Sequence, residues 1–174
     1  MSFNLVVSTG RGVEGKCIYE LKRVGEILNV DIKASFTGFD GLLTATVSSD
    51  PVEFTGRLRE LVARGEFVPR FILKVVPIHE VVKTDLEEIV EHAVNLALAK
   101  INEGETYKVE VRKRGVDLSR MEIIDKIASK IPRKVKLEHP DKIIQLEVFP
   151  TKTGIGVIRE SDIFSLLKLT VMRS

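Results

Sequence analysis

The first 76 residues alternate short apolar runs with longer stretches in which apolar positions recur every three or four residues. One such stretch, from Val13 to Leu28, has the spacing of a single helix face and turns Cys17 toward the core. A second helix is predicted to begin after Asp50 and to end near Gly65, because aspartate caps helix starts and proline favours the first helical position. Strands are predicted at Phe3–Thr9, Asp31–Thr37, Leu42–Val47 and Arg70–Val76. This order of elements predicts a ferredoxin-like α+β unit over residues 1–76.

Residues 77–174 show a second set of helical and strand patterns. Thr84 and Glu87 have the spacing of a capping box and are predicted to open a strongly apolar helix that ends near Gly104. Ser119 and Glu122 repeat the box before a helix that ends at Pro132. Strands are predicted at Thr106–Arg112, Val135–Leu137, Ile143–Phe149 and Gly156–Ile158. We therefore expect a second α/β unit over residues 77–174, with the boundary between Pro77 and Lys83.

Length and composition limit the classes of protein to consider. A chain of 174 residues accommodates one ordinary domain or two small ones. Charged and polar residues interrupt its longest apolar stretches, so we expect no membrane span. The single cysteine and the absence of a secretory signal pattern predict a cytoplasmic location. The high content of charged residues is typical of proteins from hot environments.

The net charge of +2 is unevenly distributed along the chain. Residues 105–174 contain 15 Lys or Arg and 10 Asp or Glu, whereas the first 104 residues contain 12 and 15. A basic half joined to an acidic half is typical of a protein that meets a polyanion at one end.

The segment Gly10–Lys16 has the spacing of a phosphate-binding loop and lies between a predicted strand and a predicted helix. The motif requires Ser or Thr at the next position to bind magnesium, but that position is Cys17. No apolar run ending in aspartate follows as a second metal ligand. We interpret the segment as a glycine-rich turn and keep a small nucleotide-binding enzyme as the alternative function.

Other catalytic or metal chemistry has little support in the sequence. The histidines at positions 79, 92 and 139 are scattered over a loop, a helix and a turn, without the spacing of metal ligands. The predicted burial of Cys17 argues against a cysteine nucleophile. We therefore predict no catalytic residue, no metal site and no cofactor.

Basic residues cluster from the end of one predicted strand to the start of the next predicted helix. Strand alternation turns Arg112 outward, and the Ser119 cap places Arg120 at a helix start, where phosphate binds favourably. Charge alone also allows a merely solvated basic face. Few aromatic residues accompany the cluster, which favours recognition of RNA shape and backbone. The predicted RNA-binding residues are Arg112, Lys113, Arg114 and Arg120, with Lys136, Lys152 and Arg159 as flanking contacts.

Short motifs between Tyr107 and Gly156 resemble the THUMP domain, an RNA-binding module of tRNA-modifying proteins. They are Lys113-Arg114-Gly115, Leu118-Ser119, the helix Ile123–Ile131, Lys134-Val135-Lys136-Leu137, His139-Pro140-Asp141, Ile144–Val148 and Gly154-Ile155-Gly156. The amino-terminal unit, with Thr9, Arg11 and Glu14 before Glu20-Leu21, more distantly resembles the one that precedes this module in the Tan-type adaptor of tRNA cytidine acetylation.

This resemblance implies a function without catalysis by the chain itself. The expected protein is an adaptor that binds tRNA and presents it to a separate enzyme, such as a cytidine acetyltransferase. An RNA-binding subunit of another tRNA-modifying enzyme, for methylation or thiolation, is the alternative within the same family.

Overall fold

The structure, a computed structural model, describes residues 2–173. The described residues form two compact units: one runs as far as Pro77 and resumes at Ser161, and the other is Ile78–Glu160. No helix among residues 2–173 is long and apolar enough to cross a membrane. The elements in chain order are β1 (Leu5–Ser8), α1 (Glu14–Leu28), β2 (Ile32–Phe36), β3 (Leu42–Val47), α2 (Pro51–Ala63), β4 (Lys74–Pro77), β5 (Glu80–Lys83), α3 (Leu86–Lys100), β6 (Thr106–Lys113), α4 (Arg120–Ala128), β7 (Lys134–Val135), β8 (Lys142–Val148), β9 (Lys152–Ile158), β10 (Phe164–Ser165) and α5 (Leu166–Arg173).

The first unit contains an antiparallel sheet with the strand order β10-β4-β1-β3-β2. Strands β1 to β4 and the two helices between them have the predicted ferredoxin-like order, which confirms the α+β prediction. The core contains the apolar face of α1, including the fully buried Cys17 and Leu21, and that of α2, including Phe54 and Leu58. The Asp50 carboxylate caps α2 by accepting the backbone N–H groups of residues 52 and 53, as the sequence predicts.

Strand β4 begins at Lys74, four residues later than predicted from the run Arg70–Val76. The Glu20 carboxylate on α1 accepts hydrogen bonds from three successive backbone N–H groups, those of residues 70, 71 and 72, at 2.8, 3.0 and 2.8 Å. An N–H group that donates to this carboxylate is not available to a neighbouring strand. A long-range side chain therefore sets the start of the strand.

The chain returns to the first unit after Glu160, whereas the sequence analysis extended the second unit to residue 174. Strand β10 pairs with β4, and Phe164 is fully buried in the core of the first unit. A strand of two residues has no periodicity for sequence analysis to detect. Its position depends on pairing with a strand that is distant in the chain.

The second unit contains a mixed sheet with the strand order β5-β9-β8-β6-β7. Strand β6 is parallel to β7 and β8, and β9 is antiparallel to β8 and β5. The apolar faces of α3 and α4 contribute to the core of this unit, for example through Ile89 and Ile123. Strand β5 was not predicted, and β9 begins four residues earlier than the predicted Gly156.

Helix α3 is capped by Asp85, one residue after the predicted Thr84. The Asp85 carboxylate accepts the Glu88 backbone N–H at 3.2 Å. The Thr84 hydroxyl donates instead to the Phe149 carbonyl at 2.7 Å and lies 2.8 Å from the Thr153 hydroxyl. Sheet pairing of β5 with β9 brings Thr84 to these partners, so its side chain is not available to cap the helix.

Candidate nucleic-acid interface

Exposed basic side chains gather at the end of the second sheet where β6 and β8 finish. The strand register places Lys113 opposite Val148, and Val148 opposite Thr153. Lys152, which precedes Thr153 and is the first residue of β9, therefore lies at this same end of the sheet. Lys83 at the end of β5 is the register partner of Lys152. Helix α4 follows β6 after a short loop and begins with Arg120. We call the exposed side chains of this region the basic end surface: Lys83, Arg112, Lys113, Arg120 and Lys152.

The loop before α4 holds this helix start in place. The Ser119 hydroxyl accepts the Glu122 backbone N–H at 3.2 Å, which confirms the predicted cap. Lys113 donates from Nζ to the Leu118 carbonyl at 2.7 Å and so ties the end of β6 to the cap. The exposed N–H groups of a helix start favour an anion, and the Arg120 side chain adds a positive charge beside them. This arrangement can bind phosphate.

Arg112 confirms the predicted strand alternation, since its side chain is exposed. Its guanidinium lies 3.4 Å from the Glu110 carboxylate on the same face of β6, and the two side chains are 51% and 33% exposed. An exposed pair of this kind contributes at most about 1 kcal/mol and exchanges readily for another anion. Arg112 therefore can turn to a phosphate.

Arg114 does not belong to the basic end surface, although the sequence analysis placed it among the RNA-binding residues. Its Nη1 lies 2.9 Å from the Glu147 carboxylate, and Glu147 is only 2% exposed. The guanidinium also lies 5.2 Å from the centre of the Phe149 ring. The other Glu147 oxygen accepts a hydrogen bond from Gln145 at 2.7 Å. Arg114 is the counter-ion of a buried carboxylate, and this structural role occupies its charge.

Lys136 and Arg159 lie at the opposite end of the sheet from the basic end surface. The Lys136 backbone N–H donates to the Tyr107 carbonyl near the start of β6, and Arg159 follows Ile158, the register partner of Ile143 near the start of β8. The length of β6 separates the two ends by about 20 Å at roughly 3.3 Å per residue. The sequence analysis expected one continuous surface, but the register divides the predicted residues between two ends.

Lys83 is a member of the basic end surface that sequence reasoning missed. It lies in the half of the chain with the net negative charge, outside the basic cluster considered there. Only the pairing of β5 with β9 brings it beside Lys152. Charge counted along the chain carries no information on such a pairing.

The segment Gly10–Lys16 lacks the geometry of a phosphate-binding loop. Helix α1 begins at Glu14, and the Glu14 carboxylate accepts the Gly41 backbone N–H at 2.8 Å. Hydrogen bonds from backbone N–H groups, first that of Gly41 and then those of residues 14 and 12, lower the pKa of Glu14. A carboxylate already occupies the donors that a nucleotide phosphate needs. Lys16 points away to the Phe71 ring, with Nζ 5.7 Å from its centre.

Cys17, the residue after this segment, is fully buried as predicted. Burial raises the pKa of its thiol to about 11. At neutral pH it is therefore a neutral thiol, which is a poor nucleophile and a poor metal ligand.

His92 on α3 lies among carboxylates. Its Nδ1 contacts Glu80 on β5, and its Nε2 lies 3.1 Å from Glu88. Burial acts to lower the pKa of His92, but the hydrogen bond to Glu80 and the charges of Glu80, Glu88 and Glu91 outweigh it, so the pKa is raised above 6.5. One ligand atom from each of Glu88, Glu91 and His92 lies within 4.8 Å of the others. Both ring nitrogens of His92 are directed at glutamate oxygens, an arrangement in which each nitrogen can donate a hydrogen.

This raised pKa predicts a pH dependence of stability. Protonated His92 stabilises the folded state, and this contribution is complete below the pKa of the unfolded chain and is lost as the pH rises through the higher folded pKa. We expect the free energy of unfolding to fall as the pH rises from the ordinary histidine pKa, about 6.5, through the raised pKa of folded His92, and this fall to be smaller in His92→Gln. Denaturant titrations across this range measure it, with His139→Asn in the exposed turn as the control. An equal fall in the wild type and His92→Gln would contradict the assignment.

The family model of the THUMP domain matches residues 83–158. The protein contains a THUMP domain. All five residues of the basic end surface lie within the matched range. The THUMP domain comprises the sheet from β6 to β9 with helices α3 and α4. The resemblance found in the motifs between Tyr107 and Gly156 is thereby confirmed at the level of the domain.

The similarity to relatives of known sequence or structure covers most of this chain, including residues outside the THUMP domain. An uncharacterized protein of Methanocaldococcus jannaschii is 26% identical over 157 residues, which are 87% of this chain and 40% of that protein. The crystal structure of PH1313 from Pyrococcus horikoshii has a TM-score of 0.67 at 18% identity and covers 93% of this chain and 55% of its own. TrmN from Thermus thermophilus has a TM-score of 0.62 at 18% identity, with coverages of 90% and 45%.

A 4-thiouridine synthetase crystallised with RNA and ATP has a TM-score of 0.58 at 18% identity, and this chain covers 42% of it. At such identities the likeness of the solved structures shows the fold alone. This chain spans about half of the length of these relatives, or less.

Proposed function

We propose that the protein binds tRNA through the basic end surface of its THUMP domain and presents it to a tRNA-modifying enzyme on a separate polypeptide. The proposal rests on one observation: exposed cationic side chains from β5, β6, α4 and β9 lie together at one end of the second sheet. Phosphate contacts supply most of the affinity for a nucleic acid, and they need cations spaced over a surface.

The contacts that these cations make within the protein leave them able to bind phosphate. Arg120 has no ion pair among the described residues within 4.0 Å, and the pair of Arg112 with Glu110 is exposed. Lys113 uses one of its N–H donors on the Leu118 carbonyl and retains two. These groups remain available to an RNA backbone at the start of α4.

Cytidine acetylation by a separate acetyltransferase is the modification that we propose. It rests on the resemblance of the amino-terminal unit to that of the Tan-type adaptor. The alternative is the same RNA-binding role in methylation or thiolation, and the similarity of fold to a 4-thiouridine synthetase supports thiolation. We propose that the chain itself has no modifying activity. Incubating tRNA with an acetyltransferase, with and without this protein, and measuring N4-acetylcytidine tests the role in acetylation; an equal yield without the protein would favour methylation or thiolation.

The RNA site is tested by the salt dependence of tRNA binding. We expect the variant Arg112→Ala/Arg120→Ala to bind more weakly and to lower the slope of log K against log salt by about two units, one for each lost phosphate contact. Filter binding or fluorescence anisotropy at several salt concentrations gives this slope. Arg114 stays intact, so that the fold is not disturbed at Glu147.

The matched control is Lys130→Ala/Lys136→Ala, which removes the same charge from exposed positions away from the basic end surface. We expect its salt slope to remain that of the wild type. An equal loss of tRNA affinity in the two variants would show that binding depends only on the total charge of the protein. Unchanged binding by Arg112→Ala/Arg120→Ala would move the site elsewhere, and no tRNA binding by the wild type would contradict the proposed function.

A further inference from the structure

Tyr19 on α1 is an aromatic side chain that the fold of the first unit leaves in solvent. Its exposed fraction is 77%, the highest among the large hydrophobic side chains described. Residues three and four positions apart are neighbours on a helix surface. Lys16 lies three positions before Tyr19, and Lys22 and Arg23 lie three and four positions after it; all three are exposed. The Lys16 ammonium lies 5.7 Å from the centre of the Phe71 ring. Lys22 and Arg23 are therefore the cations that flank the Tyr19 ring on this helix face.

Glu14 and Glu20, the acidic residues of α1 nearest to Tyr19 in the chain, bind backbone N–H groups. The Glu14 carboxylate binds the Gly41 N–H, and the Glu20 carboxylate binds the N–H groups of residues 70–72. Glu26, further along the same face, lies 3.8 Å from Arg23. Both side chains of this pair are exposed, so it contributes at most about 1 kcal/mol and Arg23 can exchange the carboxylate for a phosphate.

We propose that Tyr19 stacks an unpaired nucleobase of single-stranded RNA, while Lys22 and Arg23 bind the adjoining phosphates. An aromatic ring offers its face to any base, and flanking cations follow the backbone on either side. The position on α1 is separate from the basic end surface of the THUMP domain. The inference deepens the proposed function and rests on it, because it names single-stranded RNA as the ligand of the first unit.

The chain provides a direct optical test, since it has two tyrosines and no tryptophan. Tyr107 is fully buried, and among the described side chains its hydroxyl is one of those without a hydrogen-bond partner. Tyr107→Phe therefore removes no hydrogen bond and leaves Tyr19 as the only tyrosine. We expect an oligoadenylate of about ten nucleotides to quench the emission of this variant on binding. A polyphosphate of matched charge, which has no bases, should bind without quenching.

Affinity measurements separate stacking from charge. We expect Tyr19→Ala to bind labelled oligoadenylate about tenfold more weakly, and Tyr19→Phe, which keeps the ring, to bind within about twofold of the wild type. The exposure of Tyr19 makes both variants compatible with the fold, and circular dichroism checks this. Loss of affinity in Tyr19→Phe equal to that in Tyr19→Ala would overturn the stacking role.

The failure of this inference is distinguishable from the failure of the proposed function. If oligoadenylate bound without quenching the Tyr19 emission, the stacking site would be overturned. If tRNA binding by Tyr19→Ala also kept its salt slope, the proposed function would stand. Absence of binding of both tRNA and oligoadenylate to the wild type would overturn the two together.

Discussion

Replacement of Arg114 by alanine is expected to destabilise the protein by about 3 kcal/mol or more, because removal of one partner leaves a buried charge uncompensated. Glu147 is 2% exposed, and its carboxylate would keep only the Gln145 hydrogen bond. The contact of the guanidinium with the Phe149 ring is lost as well. Equilibrium denaturation by urea, followed by circular dichroism, measures the change in the free energy of unfolding.

The neighbouring Arg112→Ala serves as the matched control, since it removes the same side chain from an exposed position. We expect it to change stability by no more than about 0.5 kcal/mol. Adding Glu147→Gln to Arg114→Ala removes the unpaired charge and should recover a large part of the loss. If Arg114→Ala and Arg112→Ala were equally stable, Arg114 would not have the structural role assigned to it.

Replacement of Glu20 by alanine is expected to cost about 2 to 4 kcal/mol, because three backbone N–H groups lose a charged acceptor together. Ile72, one of these donors, is fully buried, so water does not readily replace the carboxylate there. The segment from Arg70 to Ile72 should then exchange its amide hydrogens faster than β4 does. Hydrogen exchange and urea denaturation together measure the two effects.

Glu26→Ala on the same helix is the control for Glu20→Ala. Glu26 is exposed and its carboxylate pairs with Arg23 at 3.8 Å, so we expect a change below about 1 kcal/mol. Glu20→Gln keeps one of the two acceptor oxygens without the charge, and its stability should fall between those of Glu20→Ala and Glu26→Ala. Equal stability of Glu20→Ala and Glu26→Ala would show that the three hydrogen bonds contribute little.

The contact of Arg114 with the buried Glu147 bears on how the basic residues of the chain are interpreted. Arg114 follows Arg112 and Lys113 in the sequence, yet its charge serves Glu147 and theirs faces solvent. A variant that removes all three would weaken RNA binding partly by unfolding the domain. The assignment of RNA contacts therefore depends on separating arginines that hold the fold from arginines that are free to meet phosphate.

Local patterns in the sequence were enough to predict most helices and strands. The face of α1 that contains Cys17, the Asp50 cap of α2 and the Ser119 cap of α4 follow from interactions within a few residues. The order of strands and helices predicted the ferredoxin-like unit, because short connections restrict which strands can be neighbours. The motifs between Tyr107 and Gly156 likewise predicted the THUMP domain.

Contacts between residues that are distant in the chain settled the remaining features. Pairing of β5 with β9 brings Lys83 to Lys152, and the register of β8 with β6 separates Arg159 from Arg112. Glu20 delays the start of β4, and β10 joins the first sheet. Sequence periodicity reports which face of an element is apolar, whereas the partner of each strand and each charge depends on the packing of the whole unit. For that reason the chain itself could indicate a basic RNA-binding domain, and the folded arrangement decided which of its cations share a surface.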